Sequence, residues 1–397
     1  MVQVRRNPLW VGFLWVAFIA LALFGGVGIA ERFLTGHRLA AYGSYVPWGL
    51  WVAAYIYFIG LSAGAFLLSS LVYVFGVHRL EKIGKLALYV AAITLVMALM
   101  TIWFDLGHLE RFYYVFLRPQ FHSMMAWMVW LYTAYFLLLL GELFFAVRRD
   151  LVRLSPEAVE RDNRILRILG TIGVPLAIAF HGGVGALFGT VVAREYWHSP
   201  IYPILFLTGA LVSGGALMTF LVAWVYPKKD EEWRGMLQFL GRIVLGLVLF
   251  DLLLEWAEYS IPMWYGVGSE YKLLTYVLFG PYWYVYWIFH VLLGVAIPVW
   301  LLATRSSSPR AVALASILVA VTFFAVRLNL VIPGLITPEL RGLERSYQDP
   351  IAPFNRLSYA YFPSLFEWQV LAGVVAIGIA LFYLGYRYLP LIKKEVA

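Results

Sequence analysis

Asp251, Glu255 and Glu258 fall in an otherwise apolar run from Leu237 to Ile261. Their i, i+4, i+7 spacing places them on one helical face. A carboxylate at a bilayer centre costs about 2.5–3.5 kcal/mol on insertion scales. Three on one face would not persist against lipid, so they must line a protein interior, a water-filled path or a partner surface. Proton handling inside a membrane is the first chemistry the chain offers. A buried ion-pair network with Arg327, fixing helix packing, is the competing reading.

The elements that position these groups are membrane helices. The chain has 397 residues, of which 62% are hydrophobic and 13% charged, with a mean hydropathy of +0.80. Soluble domains carry about 25% charged residues. The apolar runs are long and continuous, and lipid-embedded backbone must satisfy its own hydrogen bonds, so the fold class is an all-α integral membrane protein. With about 20 apolar residues per crossing, ten spans are predicted at 8–29, 48–77, 86–105, 124–147, 168–192, 201–226, 237–261, 276–302, 311–334 and 365–391. The first follows Arg5 and Arg6 and is long for a signal-peptide core, so it reads as a retained span.

Alternate loops carry 18 Lys and Arg on one side and 9 on the other. That bias predicts both termini in the cytoplasm, with the chain multi-pass in the cytoplasmic membrane. The longest basic loop, Arg148 to Arg167, lies inside, and the Pro-bearing 335–364 loop lies outside. The net charge of +8 is explained by those loops. Neither a basic stripe nor a nucleic-acid motif accompanies it, so nucleic acid is not an expected partner. The chain has no cysteine, which excludes disulfides, thiolate metal sites and iron–sulfur ligation by its own residues.

Ser62-Ala63-Gly64 in span two and Ser213-Gly214-Gly215 in span six lie four spans apart and run in the same direction. This weak repeat predicts two parallel four-helix bundles, 48–192 and 201–334, with spans one and ten peripheral. Gly60/Gly64 and Gly185/Gly189 have the spacing that permits close helix contact.

With this topology the embedded polar residues gather in the outer half: Asp105, His108, His181, Asp251, Glu255, Glu258, Arg327 and Glu367. Asp105 and His108 are helical neighbours, although together with Arg111 they also suit a plain interfacial helix end. His290 alone reads as a satisfied core histidine. The Trp and Tyr clusters at 45–58 and 282–287 fit an interface belt as well as a pocket wall. An outer polar cavity walled by aromatics suits a quinone head group, which needs hydrogen-bond partners at its carbonyls and a proton donor nearby. Haem would need facing histidines; His181 and His290 are the embedded candidates, with none left for a second haem. A proton-coupled secondary transporter is the rival class.

The stretches Pro47-Trp48-Gly49-Leu50-Trp51 with Gly60-Leu61-Ser62-Ala63-Gly64, Trp103-Phe104-Asp105-Leu106-Gly107-His108 with Arg111, His181-Gly182-Gly183-Val184-Gly185 and Arg327-Leu328-Asn329 together resemble the NrfD/PsrC family of respiratory membrane subunits. The ten spans resemble its long branch, which includes HybB and ActC, and the region around Tyr361-Phe362-Pro363-Ser364 looks closest to DsrP of the Dsr sulfite-reduction complex. The family's usual Asp-Leu-Gly-Arg stands here as Asp-Leu-Gly-His. The resemblance implies a quinone site near the outer face, with menaquinone the expected ring. It implies a docked ferredoxin-like iron–sulfur subunit, room for further haem-bearing or catalytic subunits, and no metal in this chain, which is not catalytic alone. On that basis His181 and His108 are expected to contact the quinone carbonyls, with Asp105 orienting His108. Tyr45, Trp48 and Trp51 are expected to wall the pocket. Asp251, Glu255, Glu258 and Arg327 are expected to form a proton path.

Overall fold

A computed structural model describes residues 8–338 and 359–392. Arg5, Arg6 and residues 339–358 of the expected 335–364 loop lie outside the described residues. Ten helices are long and apolar enough to cross a membrane. We number them α1 Pro8–Thr35, α2 Leu50–Tyr73, α3 Gly84–Asp105, α4 Met124–Leu151, α5 Pro156–Gly189, α6 Tyr202–Val225, α7 Glu231–Tyr265, α8 Val285–Thr304, α9 Pro309–Ile336 and α10 Leu365–Tyr388. With no strand among the described residues and the helices buried against one another, the chain is an all-α, multi-pass membrane protein.

Local chemistry sets the helix starts. Ser155, Asp230, Ser308 and Ser364 each accept a backbone N–H of the first turn, and Ser364 and Glu367 form a reciprocal capping box. The Ser155 cap with Pro156 behind it moves the start of α5 well before 168. Most of the basic segment expected as a loop, with Arg161, Arg164 and Arg167, is therefore helix projecting beyond the apolar stretch. The expected span 276–302 is divided: Gly280-Pro281 ends a short helix, Gly268–Phe279, and α8 begins only at Val285. Its first 12 residues, Val285–Ala296, are π-helical, a form that is rare and usually brief.

Helices α2, α3, α4 and α5 pack together, as do α6, α7, α8 and α9. The two groups meet along α2 and α6, and α10 packs on α3 and carries α1 outside it. The Gly64 and Gly214 motifs face each other across the α2–α6 seam. A Cβ on Gly64 would stand 2.0 Å from the Ala210 carbonyl oxygen, and one on Gly214 2.6 Å from Gly64 Cα. Backbone touches backbone there, which is how small residues hold membrane helices together.

The end of the molecule where α3 finishes and α2 and α10 begin is tied by a buried polar hub. Arg32 Nε donates to the Phe104 carbonyl at 2.7 Å. Tyr42 donates to Asp105 Oδ1 at 2.8 Å. Glu367 accepts from the Ala41 and Ser364 N–H groups and from the Tyr361 hydroxyl. Tyr361 in turn accepts from Leu50 N–H at 2.8 Å. One carboxylate thus binds α10 to the start of α2 and to the segment after α1.

Candidate functional site in the membrane interior

Helix α7 turns its acidic face inward, toward α6, α8 and α9. Asp251 is buried and accepts from Thr208 Oγ1 at 2.6 Å. Glu255 is paired with His290 Nε2 at 2.7 Å. Glu258 accepts from Ser199 Oγ at 3.1 Å. One turn from Glu255, Tyr259 meets Tyr196, hydroxyl to hydroxyl, at 3.1 Å. The three carboxylates therefore each have a separate polar partner, spaced along α7.

Two cavities open on either side of this face. The larger is lined by Tyr196, Phe206, Glu258, Tyr259 and Arg327 among others, together with Asp251 and Glu255. The smaller, with room for about one water, is lined by His290, Gly294 and Thr322 with the same two carboxylates. Asp251 and Glu255 thus form the partition. Arg327 enters the larger cavity but, among the described residues, forms no ion pair with Asp251 within 4 Å. Its guanidinium instead sits over the Phe206 ring at 4.5 Å and the Phe323 ring at 5.1 Å, and Nη2 meets no hydrogen-bond partner. A cation held by ring faces and cut off from water is available to attract an anion or a polarised oxygen.

His181 on α5 lies at the junction of the two helix groups and is fully buried. Neither ring nitrogen meets a hydrogen-bond partner at ordinary geometry, although the backbone of Phe206 lies close to the ring. Gly60 leaves space beside it, since a Cβ there would be 3.6 Å from His181 Cε1. Phe206 touches His181 on one side, at 6.0 Å between rings, and carries Arg327 above it. An unpaired, buried imidazole is costly, and a flat ligand with polar ends would satisfy it.

The other expected site residues are placed as follows. Trp48 stacks on Trp197 and meets Phe188 edge-on, and Phe188 packs on Phe206, so an aromatic wall runs from Trp48 to His181. Tyr45 stacks on Tyr359 at 4.4 Å. Trp51 is buried and donates from Nε1 to the Glu367 carbonyl at 2.9 Å. Asp105 does not orient His108. Helix α3 ends at Asp105, the backbone turns outward, and Tyr42 takes the carboxylate while His108 pairs with Glu110 at 3.0 Å on the exposed rim. Burial and the Asp105 charge hold the Tyr42 phenol well above its ordinary pKa, so it stays a donor. The structure does not bring His108 to His181.

Sequence reasoning passed over His290 as a core histidine, and it passed over Tyr196, Thr208 and Ser199. Thr208 and Ser199 carry no periodic signal. His290 reaches Glu255 from within the π-helical part of α8, a winding that the sequence did not signal.

A family model described as polysulphide reductase, NrfD, matches residues 38–339. The chain belongs to the NrfD family. A selenate reductase subunit of Mesobacillus selenatarsenatis is 34% identical, the match covering 94% of this chain and 93% of the relative. An Hdr-like menaquinol oxidoreductase integral membrane subunit of Archaeoglobus fulgidus is 28% identical, covering 95% and 93%. A putative dimethyl sulfoxide reductase membrane subunit of Halobacterium salinarum is 29% identical, covering 95% and 91%. The NrfD match takes in Asp105, His181, Asp251 and Arg327, whereas Glu367 and α10 lie beyond it. These matches establish the family; the likeness to DsrP stays an expectation from the sequence.

Proposed function

We propose that this NrfD-family chain is the quinone-reactive membrane subunit of a multisubunit respiratory oxidoreductase. It sits in the cytoplasmic membrane with both termini inside and exchanges electrons with an iron–sulfur partner at the outer face. The observation that carries the reading is the His181 niche: a wholly buried imidazole with both nitrogens unpaired, beside a glycine and at the end of an aromatic wall. A neutral imidazole donates at one nitrogen and accepts at the other, so these residues fit a quinone or quinol oxygen. The menaquinol oxidoreductase relative supports menaquinone as the ring.

When bound, a quinone supplies a two-electron, two-proton couple. The chain's own residues bind the ring and handle the protons. His181 holds one ring oxygen, and the Trp48–Phe188–Phe206 wall excludes water. Arg327 on the far face of Phe206 raises the local positive potential. Asp251 with Thr208, Glu255 with His290, and Glu258 with Ser199 provide successive proton-holding atoms toward the outer boundary. His108, on the exposed rim, would meet the partner subunit. His181→Ala tests the reading in membranes that still assemble the complex. Loss of quinol-dependent electron transfer is expected, and unchanged transfer removes His181 from the site.

A proton-coupled transporter is the second reading, favoured by the two cavities that share Asp251 and Glu255. Co-purification separates them: a respiratory subunit brings an iron–sulfur protein with it, and a transporter comes out alone.

A further inference from the structure

A second polar site lies at the opposite end of the molecule from Asp105, and nothing in the sequence pattern assigns it a role. Helix α4 carries Glu142 nine residues from its Leu151 end, about 13 Å into the helix. Glu142 is 1% exposed and its Oε1 meets no hydrogen-bond partner. The Tyr73 hydroxyl at the end of α2 is also buried without a partner and lies within electrostatic reach of Glu142. Gly170 on α5 lines the same niche, since a Cβ there would be 3.8 Å from Glu142 Oε1. Buried polar atoms without protein partners normally hold water. Two such atoms, Glu142 Oε1 and the Tyr73 hydroxyl, lie at this end of the molecule, where water would satisfy both.

The niche is flanked by charged groups on its aqueous side. Lys85 is ion-paired with Asp150, and Arg148 stands 3.7 Å from Asp162. Arg149 and Asp150 both act on the Tyr73 hydroxyl. In the other direction Tyr135 lies on the same face of α4, two turns or about 10 Å away. Its hydroxyl is 3.3 Å from the Ser62 carbonyl and 3.4 Å from Ser62 Oγ. One turn further, Tyr132 meets Tyr55, hydroxyl to hydroxyl, at 2.5 Å. Tyr135 and Tyr132 both pack on Phe180, whose other side faces His181.

We propose that Glu142 is a proton-binding site at the cytoplasmic end of the first helix group, filled from water past Lys85 and Asp150 and emptied along α4 toward Tyr135 and Ser62. For its destination, though not for its existence, the site rests on the quinone reading. A hydrated proton binds the Glu142 carboxylate and leaves water behind. On release the carboxylate is restored: the proton moves through water to the Tyr135 oxygen while the Tyr135 hydroxyl hands its own proton to Ser62 Oγ, which passes its hydroxyl proton on toward the quinone site, so each group ends as it began. No electron moves in this step. A purely structural carboxylate at this depth would have a cation or a hydroxyl on both oxygens, as Glu367 has donors on both of its own.

Dicyclohexylcarbodiimide, an apolar reagent that attacks protonated carboxyl groups, tests the site in membranes carrying the whole complex. Peptide mass mapping should find an adduct on Glu142, lost in Glu142→Gln. Quinol-dependent electron transfer should fall on modification while a quinone analogue still binds. An unmodified Glu142 beside modified Asp251 or Glu255 would overturn the proposal. If Glu142→Gln fails to assemble, the wild-type adduct map decides alone. A Glu142 adduct in a chain that binds no quinone analogue would support this proton site and count against the quinone reading.

Discussion

Each carboxylate on the inner face of α7 has its own partner, so removing a partner tests each one singly. Thr208→Val keeps the shape but leaves Asp251 without its donor. A buried group stripped of its hydrogen bond loses about 1–3 kcal/mol, so the unfolding midpoint of the purified protein should drop, as read from tryptophan fluorescence. Glu255→Gln keeps a side chain that can still bond His290 but cannot take up a proton. Assembly should survive, seen by immunoblot, and quinol-dependent turnover should fall. Wild-type turnover in that variant would leave Glu255–His290 as a packing device. The acidic face was legible in the sequence because three carboxylates in an apolar run can only be accounted for by their spacing. The partners were not, because a threonine on α6 and a serine in the loop before it leave no mark until the chain is packed.

At the scale of elements, the small residues of α2 and α6 do unequal work. Gly64 opposes backbone on α6, whereas a Cβ on Gly60 would find its nearest neighbour at 3.6 Å, an ordinary contact. Gly64→Ala should therefore cost about 1–3 kcal/mol through overpacking and lower the amount of assembled protein in membranes. Gly60→Ala should leave that amount unchanged but crowd His181 and weaken quinone-analogue binding. Equal loss of assembly in both would contradict the contact geometry. The ten spans were readable from hydropathy alone; that the Gly64 and Gly214 stretches meet was not, because the repeat pointed only to two parallel bundles. The start of α5 and the division before α8 were not readable from hydropathy. One depends on the Ser155–Pro156 cap and the other on the Gly280-Pro281 break, and both are chain-geometry signals inside or beside apolar sequence. The π-helical start of α8 carries no composition signature that sequence reading can use.

For the whole molecule, the sites above require one orientation, with basic loops inside and the His181 end outside. The natural chain has no cysteine, so single cysteines report topology without background. Gln120→Cys and Ser307→Cys stand at loop positions on opposite sides. An impermeant maleimide should label the first in intact cells and the second only after the membrane is opened. The reverse pattern would invert the outer and inner assignments of every site above. The central claim, that a quinone head group binds beside His181, is tested most directly by titrating a quinone analogue into the purified protein and following tryptophan fluorescence. Trp48 and Trp197 stack within the wall that leads to His181. Saturable quenching in the natural chain and its loss or marked weakening in His181→Ala is the expected result. Identical saturation curves for the two proteins, or no saturable quenching in either, would contradict the account.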